Sequence, residues 1–309
     1  MKLKSILFLS AFCISTLACS QDSEDSITPN EGNPVTFGKA EDLGKLKDNS
    51  INEASGIEQS TIGEALIWVH NDSGNKPQLF LINKNGETES TFFVKGIKNR
   101  DWEDITLGPG PQDNTSYLYL AEIGDNDFKY DIKYIYCMPE PKHYSTADTI
   151  EDVTSIAFRY PQKTQNAEAL MIDPLTKDLY IIAKNLDDPA IYRLAYAETQ
   201  NDDTITLERL SILNIPSKGP TDLITAADIS SDGLEVLVKT YGFIYYWKRK
   251  DSQTSIAELL QTTPEIIPYN PEPQGEAITF GKNDSGFYTL SEKRFGITPR
   301  LFFYARSKN

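Results

Sequence analysis

The sequence predicts an all-β chain folded as a five-bladed β-propeller, and three observations predict it. A short segment returns five times: Glu53-Ala-Ser-Gly-Ile57, Trp102-Glu-Asp-Ile-Thr106, Ala167-Glu-Ala-Leu-Met171, Ala226-Ala-Asp-Ile-Ser230 and Gly275-Glu-Ala-Ile-Thr279. Self-similarity of this kind marks repeat architectures. From about residue 34 onward, apolar runs rich in Ile, Val, Tyr, Phe and Leu alternate with Gly, Pro, Asn and Asp, and no stretch holds a 3.6-residue period. Each recurring segment also opens a group of about four such runs, which is the strand count of a propeller blade.

The blades follow in order. The first takes strands 53–57, 65–69, 79–83 and 90–95, and the second takes 104–107, 117–123, 134–138 and 154–160. The third takes 168–172, 179–183, 191–196 and 205–213, and the fourth takes 227–230, 235–240, 243–248 and 259–267. The fifth has 276–280, 286–291 and 301–306 before the chain runs out, so its outer strand is expected from 34–38. That closure removes the exposed edges of an open ring. Six blades is the alternative, if one long repeat hides a short blade.

Composition narrows the function classes. The 309 residues carry 45 acidic and 30 basic side chains, a net charge of −15. Nucleic-acid binding needs basic patches and is excluded; a cation-attracting surface is expected. With only His70 and His143 as imidazoles, a histidine-rich zinc site is excluded too. Met1-Lys-Leu-Lys4 followed by an apolar stretch too short to span a bilayer reads as an export signal over 1–19. Leu17-Ala-Cys19 resembles a bacterial lipoprotein cleavage site, which implies lipidation of Cys19 and an outer-membrane anchor on the periplasmic or cell-surface face. Residues 20–33 are polar and acidic and read as a flexible tether to the 34–309 propeller. The membrane is then met only through the anchor, and the folded part is expected to be a monomer. Cys137 is the remaining cysteine, so it has no internal partner and is expected as a core residue.

In a propeller the first strand of every blade lines the central channel. The start of that strand and the end of the second meet at one mouth. The starts offer Ser55, Glu103, Glu168, then Ala227 or Asp228, and Glu276. The ends offer His70-Asn-Asp72, Glu122-Ile-Gly-Asp125, Lys184, Lys239-Thr-Tyr241 and Ser291-Glu292. Carboxylates crowded on one axis repel, and a hard cation resolves the repulsion. Oxygen donors without His or Cys favour Ca2+, with Ser55, Glu103, Glu168, Asp228 and Glu276 as expected ligands. Asp125, Lys184 and Lys239 are expected to meet an anionic substrate, and His70 with Asp72 to move a proton. The alternative is that these acids hydrogen-bond backbone amides and tie neighbouring blades together. Asn71-Asp-Ser-Gly74 looks like a nucleophile motif, yet its twin Asn283-Asp-Ser-Gly286 sits where a hairpin turn is expected.

The series Ser55, Glu103, Glu168, a small residue and Glu276 resembles the calcium-activated nucleotidases (apyrases), five-bladed propellers with Ca2+ in the channel. The series His70-Asn-Asp-Ser-Gly74, Asp101-Trp-Glu-Asp104, Ile123-Gly-Asp-Asn126, Pro139-Glu-Pro141 and Ala167-Glu-Ala-Leu170 is similar to secreted bacterial propellers of the phytase-like or esterase-like type. These resemblances imply a calcium-binding, exported propeller, and for an enzyme a calcium-dependent hydrolase of phosphorylated or otherwise anionic small molecules. The competing expectation is a non-catalytic module for a protein or surface glycan, with Tyr and Trp on the loop face as the sugar platform.

Overall fold

The computed structural model describes residues 36–307, except 64, 202, 217 and 218. The export signal, Cys19 and the tether lie outside the described residues. Strand β1 (Glu41–Lys45) comes first. Blade one is β2 (Ala54–Gln59), β3 (Leu66–Asn71), β4 (Gln78–Asn83) and β5 (Thr88–Val94). Blade two is β6 (Trp102–Pro109), β7 (Ser116–Glu122), β8 (Lys133–Pro139) and, after the short β9 (Ala147–Ile150), β10 (Thr154–Arg159). Blade three is β11 (Ala167–Ile172), β12 (Leu179–Ala183), β13 (Ala190–Leu194) and, after the short β14 (Ile205–Thr206), β15 (Glu208–Ile212). Blade four is β16 (Ile224–Ile229), β17 (Glu235–Thr240), β18 (Ile244–Lys248) and, past a helical turn α1 (Ile256–Leu259), β19 (Glu265–Ile267). Blade five is β20 (Gly275–Phe280), β21 (Gly286–Ser291) and β22 (Arg300–Ala305), with β1 as its outer strand.

The five inner strands β2, β6, β11, β16 and β20 each touch the next, and β20 touches β2, so the ring closes. The protein is a five-bladed β-propeller built of antiparallel blades. Two blades gain a fifth, parallel edge strand from a neighbour's loop: β9 adds to β5 and β14 adds to β10. The 205–213 run therefore does not form one strand. It serves two sheets, because the chain crosses from blade two to blade three there.

Closure differs in place from the expected 34–38. The pairing strand is 41–45, opposite β22, and Arg300 pins it through both oxygens of Asp42 (2.9 and 3.0 Å). Upstream, Phe37 only bridges Arg306, while its ring packs edge-on against Phe287 (5.1 Å) and Tyr246 (5.8 Å). Burying that ring between blades four and five takes precedence over extending the ladder. The run 259–267 also departs from expectation. Ser255 and Glu258 form a reciprocal capping box, the local signal that starts a helix, so a helical turn precedes β19.

Apolar side chains lie between blades, in five clusters, one per blade junction. The first junction holds Trp68 and Trp102, both fully buried. Ion pairs lock other junctions at the rim: Arg249 with Asp173 (2.7 Å), both buried, and Arg306 with Glu235 (2.5 Å).

All five inner strands slip register at the same place, between Ala54 and Gly56, Trp102 and Asp104, Ala167 and Ala169, Ile224 and Ala226, and Gly275 and Ala277. Each is a β-bulge, which re-aims one residue. The bulged residues are Ser55, Glu103, Glu168, Thr225 and Glu276. The structural repeat in blade four thus starts two residues earlier than the sequence repeat. Thr225 holds the place expected of Ala227 or Asp228, and Asp228 aligns instead with Glu58, Thr106, Met171 and Thr279, deeper in the channel.

Candidate functional site

The acids of the channel fall into two layers. The deeper layer caps backbone. Asp104 Oδ2 accepts the Leu170 amide of blade three (2.9 Å) and the Ala227 amide of blade four (3.4 Å), and Oδ1 accepts that of Ile105 (2.9 Å). Asp228 Oδ2 accepts the Phe280 amide of blade five (2.7 Å), and Oδ1 accepts that of Ile229 (2.8 Å). The Thr279 hydroxyl accepts the Gln59 amide of blade one (3.2 Å). Inner strands present a free edge to the channel, and these side chains satisfy its amides. Asp228, expected as a metal ligand, is a blade-to-blade tie; burial nonetheless raises its carboxyl to about 7.

The mouth layer is different. Asp72, Asp101 and Glu103 bring one carboxylate oxygen each within 4.8 Å of one another. Among the described residues none of the three forms a salt bridge. Asp72 follows the end of β3, Asp101 precedes β6, and Glu103 is the bulged residue of β6. Gly124 makes room for the last: a Cβ there would lie 2.0 Å from Glu103 Oε1. Burial and then the neighbouring acids Asp101, Glu276 and Glu53 raise Asp72 to about 6. Burial raises Asp101, and burial with Glu168 and Asp72 raises Glu103 well above the carboxylate range.

Around this trio stands a second arc. Glu168 pairs with Lys184 (2.9 Å), whose Nζ also donates to Tyr241 Oη (3.0 Å). Tyr241 donates to Glu276 Oε1 (2.8 Å), which also accepts from Gln274 (2.6 Å). Glu276 Oε2 is buried and has no partner. Burial raises Glu168 to about 7, despite Lys184, and burial with Glu276, Asp72 and Glu53 raises Glu292 to about 8. Among the described residues, Lys184 is the one cation in a salt bridge with any of Asp72, Asp101, Glu103, Glu168, Glu276 and Glu292, while Lys133 and Arg100 act on Asp101 from a distance.

The structure brings together part of the expected site. Glu103, Glu168, Glu276, Asp72 and Lys184 meet at the mouth. Ser55 is buried beside them, its hydroxyl donating to the Glu103 carbonyl (2.8 Å), where it holds the bulge. Three other residues have different roles. His70 is fully buried beneath Gly56, where a Cβ would lie 2.3 Å from its Nε2; burial lowers its pKa to about 4. It packs edge-on to Trp102 (5.9 Å) and has no exposed surface at the mouth. Lys239 is also fully buried: its Nζ donates to the Gly275 carbonyl and lies 5.0 Å from the Tyr269 ring, and burial lowers it to about 8. Asp125 is buried against Lys133 (3.0 Å) and accepts the amides of Lys129 and Tyr130 (2.8 Å each); these bonds outweigh burial and lower its pKa. It braces its own loop.

Sequence reasoning gave no role to Asp101, Gln274, Tyr241 or Glu292, although it placed the last two at strand ends. A signal existed for two of them, since Tyr241 and Glu292 follow second strands as Asp72 does. Asp101 and Gln274 each lie one residue ahead of an inner strand, where only the bulge shows which side chains turn inward. Asn71-Asp-Ser-Gly74 is a turn, with Gly74 at φ 76°, and so is its twin before β21. Cys137 is buried and unpaired, its thiol pushed up to about 12 by burial. No protein-family model matches the chain, and no curated protein matches it, so the propeller stands on its own geometry and neither the nucleotidase nor the phytase-like resemblance gains support.

Proposed function

We propose that this chain is an exported, lipid-anchored propeller that binds Ca2+ at its acidic mouth and, through it, an anionic small molecule. The observation that supports it is the convergence of Asp72, Asp101 and Glu103 without a paired lysine or arginine. The donor set is all oxygen, which suits a hard cation. The buried, partnerless Glu276 Oε2 leaves a further acceptor at the same mouth. Asp72, Asp101 and Glu103 would hold the ion; Glu168 and Glu276, tied to Lys184 and Tyr241, stand behind them. Bound there, the ion would offset the clustered negative charge and present positive charge to a phosphate or carboxylate.

Lys184 keeps part of its side chain open and is the group that would meet the anion beside the ion. Hydrolysis of a bound phosphoester is the enzymatic form of this reading. In that form His70 has no part, and Asp72 and Asp101, the partly exposed acids, are the side chains open to solvent and substrate.

The test is a thermal melt of the EDTA-treated protein titrated with Ca2+ and Mg2+. Ca2+ at 100 times its Kd should stabilise by about 2.7 kcal/mol, or about 5 °C for a chain of this size. Glu103→Gln should abolish that rise. An absence of any Ca2+-dependent shift in the parent protein would overturn the reading, and the mouth would then be a purely structural acidic ring.

A further inference from the structure

We propose that the far mouth of the channel binds a small primary ammonium ion with a short apolar body. A cavity of about 250 Å3 opens there, at the ends of the inner strands away from the acidic mouth. Leu107, Ile229 and Phe280 give it apolar walls, and Glu58, Gln59, Asp228 and Asp284 give it polar ones; the two oxygens of Asp284 accept from the Ser231 amide and hydroxyl (3.2 Å each). Pockets of this make-up, mostly apolar with a few convergent polar groups, are where small molecules bind.

The polar groups decide the ligand class. Both oxygens of Asp228 are committed to backbone amides, as described above. Glu58 is not committed. It is buried, and among the described residues its sole hydrogen bond is a long one from the Thr279 hydroxyl (3.4 Å). No lysine or arginine pairs with it among the described residues. Burial, then Asp228, Asp104 and Glu140, hold its carboxyl well above the ordinary range. Beside it, Gln59 is buried, with Nε2 donating to the Ser60 and Leu66 carbonyls (3.1 and 2.9 Å) and Oε1 without a partner. An acid that lacks a cation therefore lines this cavity. The Glu58 carboxylate can accept N–H donors of an ammonium group. One uncommitted carboxylate is too few for Ca2+, which takes about six to eight oxygens. The apolar walls suit an alkyl body rather than a hydrated ion, and Lys282 at the rim disfavours a second positive charge.

Isothermal titration of the purified protein with n-butylammonium chloride tests this. Saturable binding is expected, weakened at least about tenfold by Glu58→Gln, which removes the charge at constant shape. Leu107→Phe, which narrows the cavity, should weaken it too if the first variant is compromised in folding. Butan-1-ol should not bind, and Glu103→Gln and Ca2+ should leave butylammonium binding unchanged, which separates this site from the acidic mouth. No saturable binding, binding indifferent to both variants, or displacement by Ca2+ would each overturn the proposal.

Discussion

Asp104 and Glu103 are neighbours in sequence, both buried, both raised in pKa, and they do opposite things. Asp104 reaches into the channel and fills its lone pairs with three backbone amides from three blades. Glu103, turned by the bulge, faces Asp72 and Asp101 and gains no cation. The difference teaches that burial and charge do not distinguish a structural acid from a ligand-seeking one. What fills the oxygen lone pairs does. The deeper layer realises the alternative that channel acids stitch blades together; the mouth layer keeps its acids unspent.

The largest expected effect breaks the stitching. Asp104→Ala strips the acceptor from the Ile105, Leu170 and Ala227 amides at once. Each buried donor left unpaired costs about 1–3 kcal/mol, so denaturant melts should show a loss of about 3 kcal/mol or more, while Asp104→Asn, which keeps an acceptor, should lose about 1 kcal/mol. Near-equal stability of Asp104→Ala and the parent would remove the distinction between the layers.

Glu103→Gln should act in the other direction. Without ion it relieves repulsion at the mouth, and the variant should melt slightly higher than the parent, by about 1 kcal/mol. A lower melting point without ion would instead assign Glu103 to the stitching.

The pH dependence of the ion-free protein tests the same crowding. Asp72, Glu168 and Glu292 sit at about 6, 7 and 8, above their ordinary values. Groups raised on folding contribute stability that is full below the unfolded pKa and lost as pH rises through the folded one. Ion-free protein should therefore become more stable as pH falls from about 8 toward 6.5, and Ca2+ should flatten the slope. Below 6.5 His70, lowered to about 4, works the other way, because the unfolded imidazole takes a proton that the folded one refuses. A stability that rises with pH across that window would contradict the crowding.

Gly124→Ala is the mildest. A methyl group would press on Glu103 and Asp101. Calcium affinity should drop several-fold with little change in the ion-free melting point, whereas a large destabilisation would make Gly124 a folding residue.

By itself, the sequence determined the propeller and its five blades. The recurring inner-strand segments and the four-run groups are local patterns, and burying each blade's two faces against its neighbours leaves the ring as the solution. It also determined that Glu103, Glu168, Glu276, Asp72 and Lys184 converge, because strand order puts first-strand starts beside second-strand ends. Tertiary structure alone decided the rest. The bulge moved blade four's register by two residues, putting Thr225 in the place expected of Ala227 or Asp228, since Ala226-Ala-Asp-Ile-Ser230 copies the repeat in letters while its backbone copies it elsewhere. It also decided that His70 and Lys239 point into blade junctions under Gly56 and Gly275 rather than into the mouth. Which way a strand-end side chain turns depends on the space a neighbouring blade leaves for it, and that space is made by residues distant in the chain.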